Sequence, residues 1–129
     1  MEAEGAWLQD HLLISKGKSM ALNYSMINKA FELPDGTQHT IATLQHDRDV
    51  FLEIDQYPEV AVQRPGLPGY LPPCVAIGSI IHPEFDRLCD INKDHWISPP
   101  TEREGMIYQG KRTATLRSPG GTLIEIIEA

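Results

Sequence analysis

The sequence contains only two cysteines, Cys74 and Cys89, and neither lies in a motif with the spacing of a zinc site. We expect both to be reduced structural residues of a cytoplasmic protein, although two cysteines can also pair with each other. No apolar run approaches the length of a membrane span. The acidic beginning, MEAEGAWLQD, lacks the basic and apolar regions of a signal peptide. We therefore expect no membrane span and no secretion signal.

Short catalytic motifs are also missing from the chain. It has no phosphate-cradling glycine loop, no GxSxG sequence and no HExxH sequence. Basic residues are scarce, because 11 lysines and arginines stand against 18 acidic residues and the formal net charge is −7. Such a protein repels the phosphates of nucleic acid, so we expect no nucleic acid partner.

The length and composition are those of an ordinary globular protein. The chain has 129 residues, of which 41% are hydrophobic and 22% are charged. A chain of this kind can bury a core without disulfides or structural metals. We expect either one compact unit or two small modules that share a core.

The clearest internal pattern is a repeat with a constant offset of 72 residues. In the first copy, Ala-Thr-Leu at 42–44 is followed, after eight residues, by Glu53 and Ile54. In the second copy, Ala-Thr-Leu at 114–116 is followed, after eight residues, by Glu125 and Ile126. The match predicts that one supersecondary unit is used twice.

In the first half, apolar residues at 7, 8, 12, 13 and 14 predict a strand over Trp7–Ser15. The segment 20–33 fits either a helix or a strand, and the Pro-Asp-Gly sequence after it predicts a turn. Two further strands, His39–Leu44 and Val50–Gln56, are joined by a polar loop and form a predicted hairpin.

The second half predicts the element order β-α-β-β-β. A proline-rich stretch, 59–73, comes before it and is a connector, because proline cannot donate a hydrogen bond to a sheet. The predicted elements are a buried strand at Cys74–Ile81, an amphipathic helix at Glu84–Ile91, an edge strand with two prolines at Trp96–Glu104, and a hairpin at Arg112–Glu128.

These patterns predict an α+β protein of paired βαβββ-type modules in which the first module is shortened. The predicted boundaries are 1–58 for the first module, 59–73 for the connector and 74–129 for the second module. Two explanations of the shorter module stay open. Either it has lost most of its helix, or the chain begins partway into a module and Trp7–Ser15 is the second strand of that module.

Glu125 is the strongest candidate for a functional side chain. Alternate residues of a strand share a face, so Glu125 lies between Leu123 and Ile127. A carboxylate among aliphatic residues needs a partner, which can be a cation, a metal or a hydrogen-bond donor. Glu53 occupies the matching position, with Phe51 on its face, and the two glutamates could face one cavity. The alternative is that each lies on the solvent side of a half-exposed strand.

His11 is the one histidine of five that falls on a predicted buried strand. A metal site with two carboxylates also needs one or two imidazoles, which makes His11 a candidate ligand. Trp96, Met106 and Tyr108 can line a pocket, although such residues more often belong to a core. The remaining histidines are expected to be solvated or locally capped: His39, His46, His82 and His95.

The repeat, the predicted β-α-β-β-β order and the ending SPGGTLIEIIE resemble the vicinal oxygen chelate superfamily, which includes glyoxalase I, extradiol dioxygenases and bleomycin-resistance proteins. NKAFELPDGTQHTIATL, FLEIDQYP and GYLPPCVAIGSI are similar to a glyoxalase-like branch of it. The resemblance covers residues 28–129. It implies the fold, but not one function, because the superfamily contains isomerases, oxygenases and non-catalytic drug binders.

The resemblance also implies a set of metal ligands. Glu53 and Glu125 match the glutamates that end each module in the superfamily. His11 matches a further ligand only if Trp7–Ser15 is the first strand of its module. The fourth ligand would fall near Ile77, which cannot bind a metal. At most three of the four ligands are present.

We therefore predict a protein that binds and sequesters a small, partly apolar molecule that can carry a positive charge, in the manner of bleomycin-resistance proteins. An acidic pair in an apolar pocket attracts a cation strongly at reduced dielectric. The predicted pocket residues are Glu53, Glu125, Phe51, Ile77, Trp96 and Leu123.

Two alternatives belong to other classes. The first is a metal-dependent lyase, isomerase or dioxygenase in which His11, Glu53 and Glu125 hold one divalent Mn, Fe, Ni or Zn ion. The second is a non-catalytic, truncated assembly module with a filled core and both glutamates in solvent. We also expect a homodimer, because a second chain can complete the cavity of a shortened module.

Overall fold

Each half of the chain folds around its own β-sheet. The computed structural model describes residues 1–46, 48–62, 70–71 and 77–129. The contacts divide the chain into two compact units, residues 1–65 and 66–129. No helix in the described residues is long and apolar enough to cross a membrane.

The first unit consists of two helices and a three-stranded antiparallel sheet. The sheet has the order β1-β2-β3. Its elements, in chain order, are α1 (Glu2–Leu12), β1 (Ser15–Asn23), α2 (Ser25–Ala30), β2 (Gln38–His46) and β3 (Asp49–Asp55). The predicted hairpin of β2 and β3 is confirmed, although residue 47 of its loop lies outside the described residues.

The predicted strand at Trp7–Ser15 is wrong, because most of this segment is the second half of α1. Leu8 and Leu12 lie four residues apart on one side of the helix and are 2% and 0% exposed. The helix ends at Leu13, whose backbone is left-handed with φ of 52°. Because the apolar residues are clustered, they fit a strand as well as a helix, and packing of the two leucines decides between them.

The helix of the first module is therefore not lost. Helix α1 precedes three strands, and the strand that follows it is β1 rather than Trp7–Ser15. The segment 20–33, which fitted a helix or a strand, contains both. The end of β1 reaches Asn23 and α2 begins at Ser25.

A buried amide joins α2 to β2. The Asn28 side chain, 2% exposed, donates to the Asn23 side chain at 3.0 Å and to the Thr37 carbonyl at 3.1 Å. Its oxygen lies 2.6 Å from Nε2 of His39, which is 5% exposed. His39 is thus a buried, hydrogen-bonded residue rather than a solvated one.

The second unit has the predicted β-α-β-β-β order. Its elements are β4 (Ile77–His82), α3 (Phe85–Ile91), β5 (Trp96–Glu102), β6 (Arg112–Arg117) and β7 (Leu123–Glu128). The four-stranded sheet has the order β4-β7-β6-β5. Strand β5, with its two prolines, lies at the edge as predicted, and the hairpin of β6 and β7 is confirmed.

Strand β4 pairs with β7 in parallel, and α3 lies between β4 and β5 in the chain. Parallel neighbours need a crossover connection, and α3 begins that crossover. Phe85 and Leu88 of α3 are 2% and 0% exposed, and Leu116 and Ile126 of the sheet are fully buried. These side chains form the core on one side of the sheet.

The mixed fold with two sheets and few helices confirms the predicted α+β class. Part of the prediction lies outside the described residues, namely 63–69 and 72–73 of the connector and 74–76 of the strand Cys74–Ile81. The predicted boundaries 1–58, 59–73 and 74–129 stay a prediction.

Arg112 connects β6 to β7 and to α3. Its guanidinium donates to Glu128 from Nε at 3.0 Å and to Asp86 from Nη2 at 2.9 Å. The guanidinium carbon also lies 5.0 Å from the ring centre of Phe85. Hydrogen bonds from Arg112 lower the pKa of Glu128 from 4.5 to about 2.

We expect Glu128→Gln to lower the melting temperature at neutral pH, because the variant loses the ionised partner of Arg112. A carboxyl with a lowered pKa stabilises the fold above its unfolded-state value, and this stabilisation is lost as the pH falls through the folded-state value. The difference in melting temperature should therefore shrink between about pH 4.5 and 2. Circular dichroism melts across this range measure it.

Glu84→Gln is the control for this experiment. Glu84 pairs with Arg87, but both side chains are at least half exposed, and such pairs contribute little. A difference for Glu128→Gln that stays constant down to pH 2 would contradict the role of Arg112 as the partner of an ionised Glu128.

Candidate functional site

Glu125 lies in the middle of β7 and in the middle of a polar row across three strands. It pairs with Ser79 of β4 on one side and with Thr115 of β6 on the other. Directly paired residues of neighbouring strands point to the same face of a sheet. Ser79, Thr115 and Glu125 therefore share one face, opposite the face that carries Ile124 and Ile126.

Two hydroxyl groups hold the Glu125 carboxylate. Ser79 Oγ donates to Oε2 at 2.8 Å, and Tyr108 Oη donates to Oε1 at 3.1 Å. An ionised carboxylate has about four acceptor positions, so both oxygens can accept a further hydrogen bond. We call Ser79, Tyr108, Thr115 and Glu125 the Glu125 site.

Tyr108 reaches this carboxylate from the turn before β6. The hydrogen bond to Glu125 and the negative charge of Glu125 raise the pKa of Tyr108 above its usual value of 10.0. The phenol therefore stays protonated and remains a donor across the physiological pH range.

Aliphatic side chains lie on both sides of the polar row, two residues before it and two residues after it along β4 and β7. Ile77 pairs with Leu123, and Ile81 pairs with Ile127, on the same face as Glu125. The two isoleucines of the edge strand are exposed by 42% and 60%, whereas Leu123 and Ile127 are each 4% exposed. The site thus combines one charged group with accessible apolar surface.

The structure brings three of the predicted pocket residues together, namely Ile77, Leu123 and Glu125. Trp96 pairs with Leu116, which lies on the opposite face from Thr115. The register therefore places Trp96 on the side of the sheet that carries α3. Its role in a pocket stays a prediction.

Glu53 repeats one part of this arrangement in the first unit. It pairs with Thr43, as Glu125 pairs with Thr115, and it is exposed. Phe51 lies two residues away on the same face and is half-buried. Among the described residues, no strand lies on the other side of β3, so Glu53 has no counterpart of Ser79.

His11 and Glu53 lie on different sides of the first sheet. Helix α1, which carries His11, covers the face of β2 and β3 that includes Ala42 and Ile54. Glu53 alternates with Ile54 and so points to the other face. The His11 ring stacks on Trp7, with ring centres 4.3 Å apart.

The predicted metal set of His11, Glu53 and Glu125 stays untested. Within the part of the chain that the structure describes, no three His, Cys, Asp or Glu side chains form a group that could hold a metal. The partners of Glu125 are neutral hydroxyls, whereas divalent Mn, Fe, Ni and Zn ions favour imidazole, thiolate and carboxylate ligands. The Glu125 site by itself does not fit such an ion.

Ser79 and Thr115 are absent from the predicted pocket residues, and Tyr108 was expected only as one of several residues that can line a pocket. Ser79 is the one hydroxyl residue in the apolar run CVAIGSII. Its position indicates a partner for Glu125 only when the pairing of β4 with β7 is known. Tyr108 lies in a turn, and nothing in its local sequence indicates a contact with a residue 17 positions later.

Comparisons with known proteins give no match to a family model and none to a curated protein. Solved structures do match over nearly the whole chain. One is a member of the glyoxalase/bleomycin resistance protein/dioxygenase superfamily from Sphaerobacter thermophilus. It is 12% identical, with a TM-score of 0.56, and the match covers 99% of this chain and 87% of that one.

Two further structures are similar. A virulence protein from Salmonella typhimurium is 14% identical, with a TM-score of 0.52 and coverage of 99% and 86%. An integron cassette protein from V. cholerae is 14% identical, with a TM-score of 0.50 and coverage of 99% and 85%. At such low identity these matches concern the fold alone. The chain has the fold of the glyoxalase/bleomycin resistance protein/dioxygenase superfamily, as the sequence resemblance predicted.

Proposed function

We propose that the protein binds and sequesters a small organic molecule at the Glu125 site, and that this molecule carries a cationic group on an apolar body. The observation that carries the proposal is the Glu125 carboxylate, held by two hydroxyl donors next to the accessible isoleucines of β4. A few polar groups placed among apolar side chains are typical of a ligand-binding site.

The charge of Glu125 favours a cationic group in the ligand. None of the ion pairs among the described residues includes Glu125. Ser79 and Tyr108 orient the carboxylate but leave its negative charge uncompensated. A ligand ammonium would add a charge-assisted hydrogen bond, which is roughly twice as strong as a neutral one.

The isoleucines favour an apolar body beside that cation. Ile77 and Ile81 lie two residues from Ser79, on either side of it along β4. A ligand that covers them gains about 25 cal/mol for each Å² of apolar surface removed from water. The two features together select an amphipathic cation over a hydrophilic one.

The arrangement supports binding rather than a reaction. The hydroxyls of Ser79 and Tyr108 both donate to Glu125, and the row of Ser79, Glu125 and Thr115 contains no histidine or lysine that could act as a stronger base. The raised pKa of Tyr108 also disfavours a phenolate base. The metal-dependent alternative gains no support from the donor set described above. The homodimer and the cytoplasmic location stay predictions.

Glu125→Gln should move the pKa of Tyr108 down towards 10.0, because the charged acceptor that raises it is removed. The titration can be followed by NMR of ¹³C-labelled tyrosine, which separates the four tyrosines of the chain. Glu53→Gln is the matched control and should leave the Tyr108 titration unchanged. An unchanged Tyr108 titration in Glu125→Gln would show that the hydrogen bond does not form in solution.

The binding proposal is tested with pairs of compounds that differ only in charge, such as aryl-alkyl ammonium ions and their neutral isosteres. We expect the cations to raise the melting temperature and to bind in calorimetry. Glu125→Gln should weaken binding of the cations by about tenfold or more, since a hydrogen bond to a charged group contributes about 1.5–3 kcal/mol. Binding of the neutral isosteres should change little.

Glu53→Gln serves again as the control, because it removes an acid at the matching position of the other unit. The proposal would be overturned if cations bound Glu125→Gln as tightly as the wild type. It would also be overturned if no cationic compound in the screen bound the wild-type protein. Addition of Mn, Fe(II), Ni or Zn provides a separate comparison. Stabilisation by a metal that disappears in Glu125→Gln would favour the enzyme alternative.

A further inference from the structure

The two sheets present the same apolar surface to their helices. In the first unit this surface includes Ala42, Leu44 and Ile54. The residues at the repeat offset in the second unit are Ala114, Leu116 and Ile126, which are at most 1% exposed. The surface under each helix is therefore built from the same residue types.

The helices that cover these surfaces bury different side chains. In α3, Phe85 and Leu88 are buried, three residues apart. In α1, Leu8 and Leu12 are the buried leucines, and the residue three positions before Leu8 is Gly5. Relative to Leu8, Gly5 holds the position that Phe85 holds relative to Leu88.

Gly5 faces the sheet. A methyl group built on Gly5 would have Ile54 Cδ1 as its nearest neighbour, at 3.8 Å, which is an ordinary contact. Nothing in the backbone requires a glycine here, and glycine inside a helix is less stable than alanine. Its effect is to leave space above Ile54.

That space is a cavity of about 190 Å³ between α1 and the sheet. Its apolar lining consists of Met1, Gly5, Ala6, Ala42, Leu44 and Ile54. A short hydrocarbon chain or a small ring fits this volume.

The polar part of the lining includes a lysine side chain. Lys16 and Ser19 of β1 contribute to the cavity wall, and Glu2 and Gln9 contribute from α1. Glu2 lies in the first turn of the helix, where a carboxylate offsets the positive end of the helix dipole. Lys16 forms no ion pair with any residue that the structure describes.

We propose that this cavity is a second binding site, for a small amphipathic anion such as a short-chain monocarboxylate. The apolar chain lies over Ala42, Leu44 and Ile54, and the carboxylate pairs with Lys16. The site is independent of the proposed function, because its ligand has the opposite charge and its residues all belong to the first unit.

Hexanoate is the probe for this site, with hexylamine and hexan-1-ol as controls for charge. We expect hexanoate to bind in the millimolar range and to shift the amide NMR signals of α1, Lys16, Ala42 and Ile54. Hexan-1-ol should bind more weakly than hexanoate, and hexylamine more weakly still. Lys16→Met should weaken hexanoate binding about two- to fivefold, as expected for the loss of one exposed ion pair.

Two substitutions at Gly5 separate filling of the cavity from stabilisation of the helix. Gly5→Phe should fill the cavity, raise the melting temperature and abolish hexanoate binding. Gly5→Ala should raise the melting temperature through helix propensity alone and keep hexanoate binding. If Gly5→Phe does not fold, Gly5→Leu provides a smaller side chain for the same purpose.

Glu125→Gln should leave hexanoate binding unchanged, so failure at one site is distinguishable from failure at the other. The proposal is overturned if hexanoate causes no shifts around α1, if hexylamine causes the same shifts, or if a folded Gly5→Phe or Gly5→Leu protein binds hexanoate as the wild type does.

Discussion

The parallel pairing of β4 with β7 is the interaction on which the candidate site depends. It places Ser79 directly beside Glu125 and aligns two rows of aliphatic residues on either side of them. A shift of this pairing by one residue would turn Ser79 to the other face. The register is fixed on that other face, where Ile80 and Ile126 are buried with the side chains of α3.

The two units show how one supersecondary plan supports different chemistry. Both place a threonine beside a glutamate on antiparallel strands. Only the second unit has, among the described residues, a parallel strand that completes the surroundings of its glutamate. On the face that the helices cover, the first unit is the one with space for a ligand. Phe85 of α3 fills the core of the second unit, whereas a cavity lies beside Gly5 of α1 in the first unit.

Much of the fold could be predicted from local patterns. Alternation and turn residues located the two hairpins, and three-residue spacing located α3. The failure at Trp7–Ser15 has a physical cause, since its apolar residues fit both periods and the choice depends on burial of Leu8 and Leu12. A local sequence pattern does not indicate which tertiary surface a segment packs against. The candidate site could be predicted in part for a related reason. Glu125 was identifiable because a carboxylate in an aliphatic strand needs a partner. Its partners were not identifiable, because Ser79 is 46 residues away and depends on strand order, and Tyr108 depends on the path of a turn.

We propose above that an amphipathic cation binds against Glu125 and its neighbouring isoleucines. The most direct measurement is amide NMR mapping with a cationic compound that binds the protein. The account predicts shifts concentrated at Ile77, Ser79, Thr115 and Glu125, with none at the matching residues Thr43 and Glu53. Shifts centred elsewhere, with the Glu125 site unaffected, would contradict it.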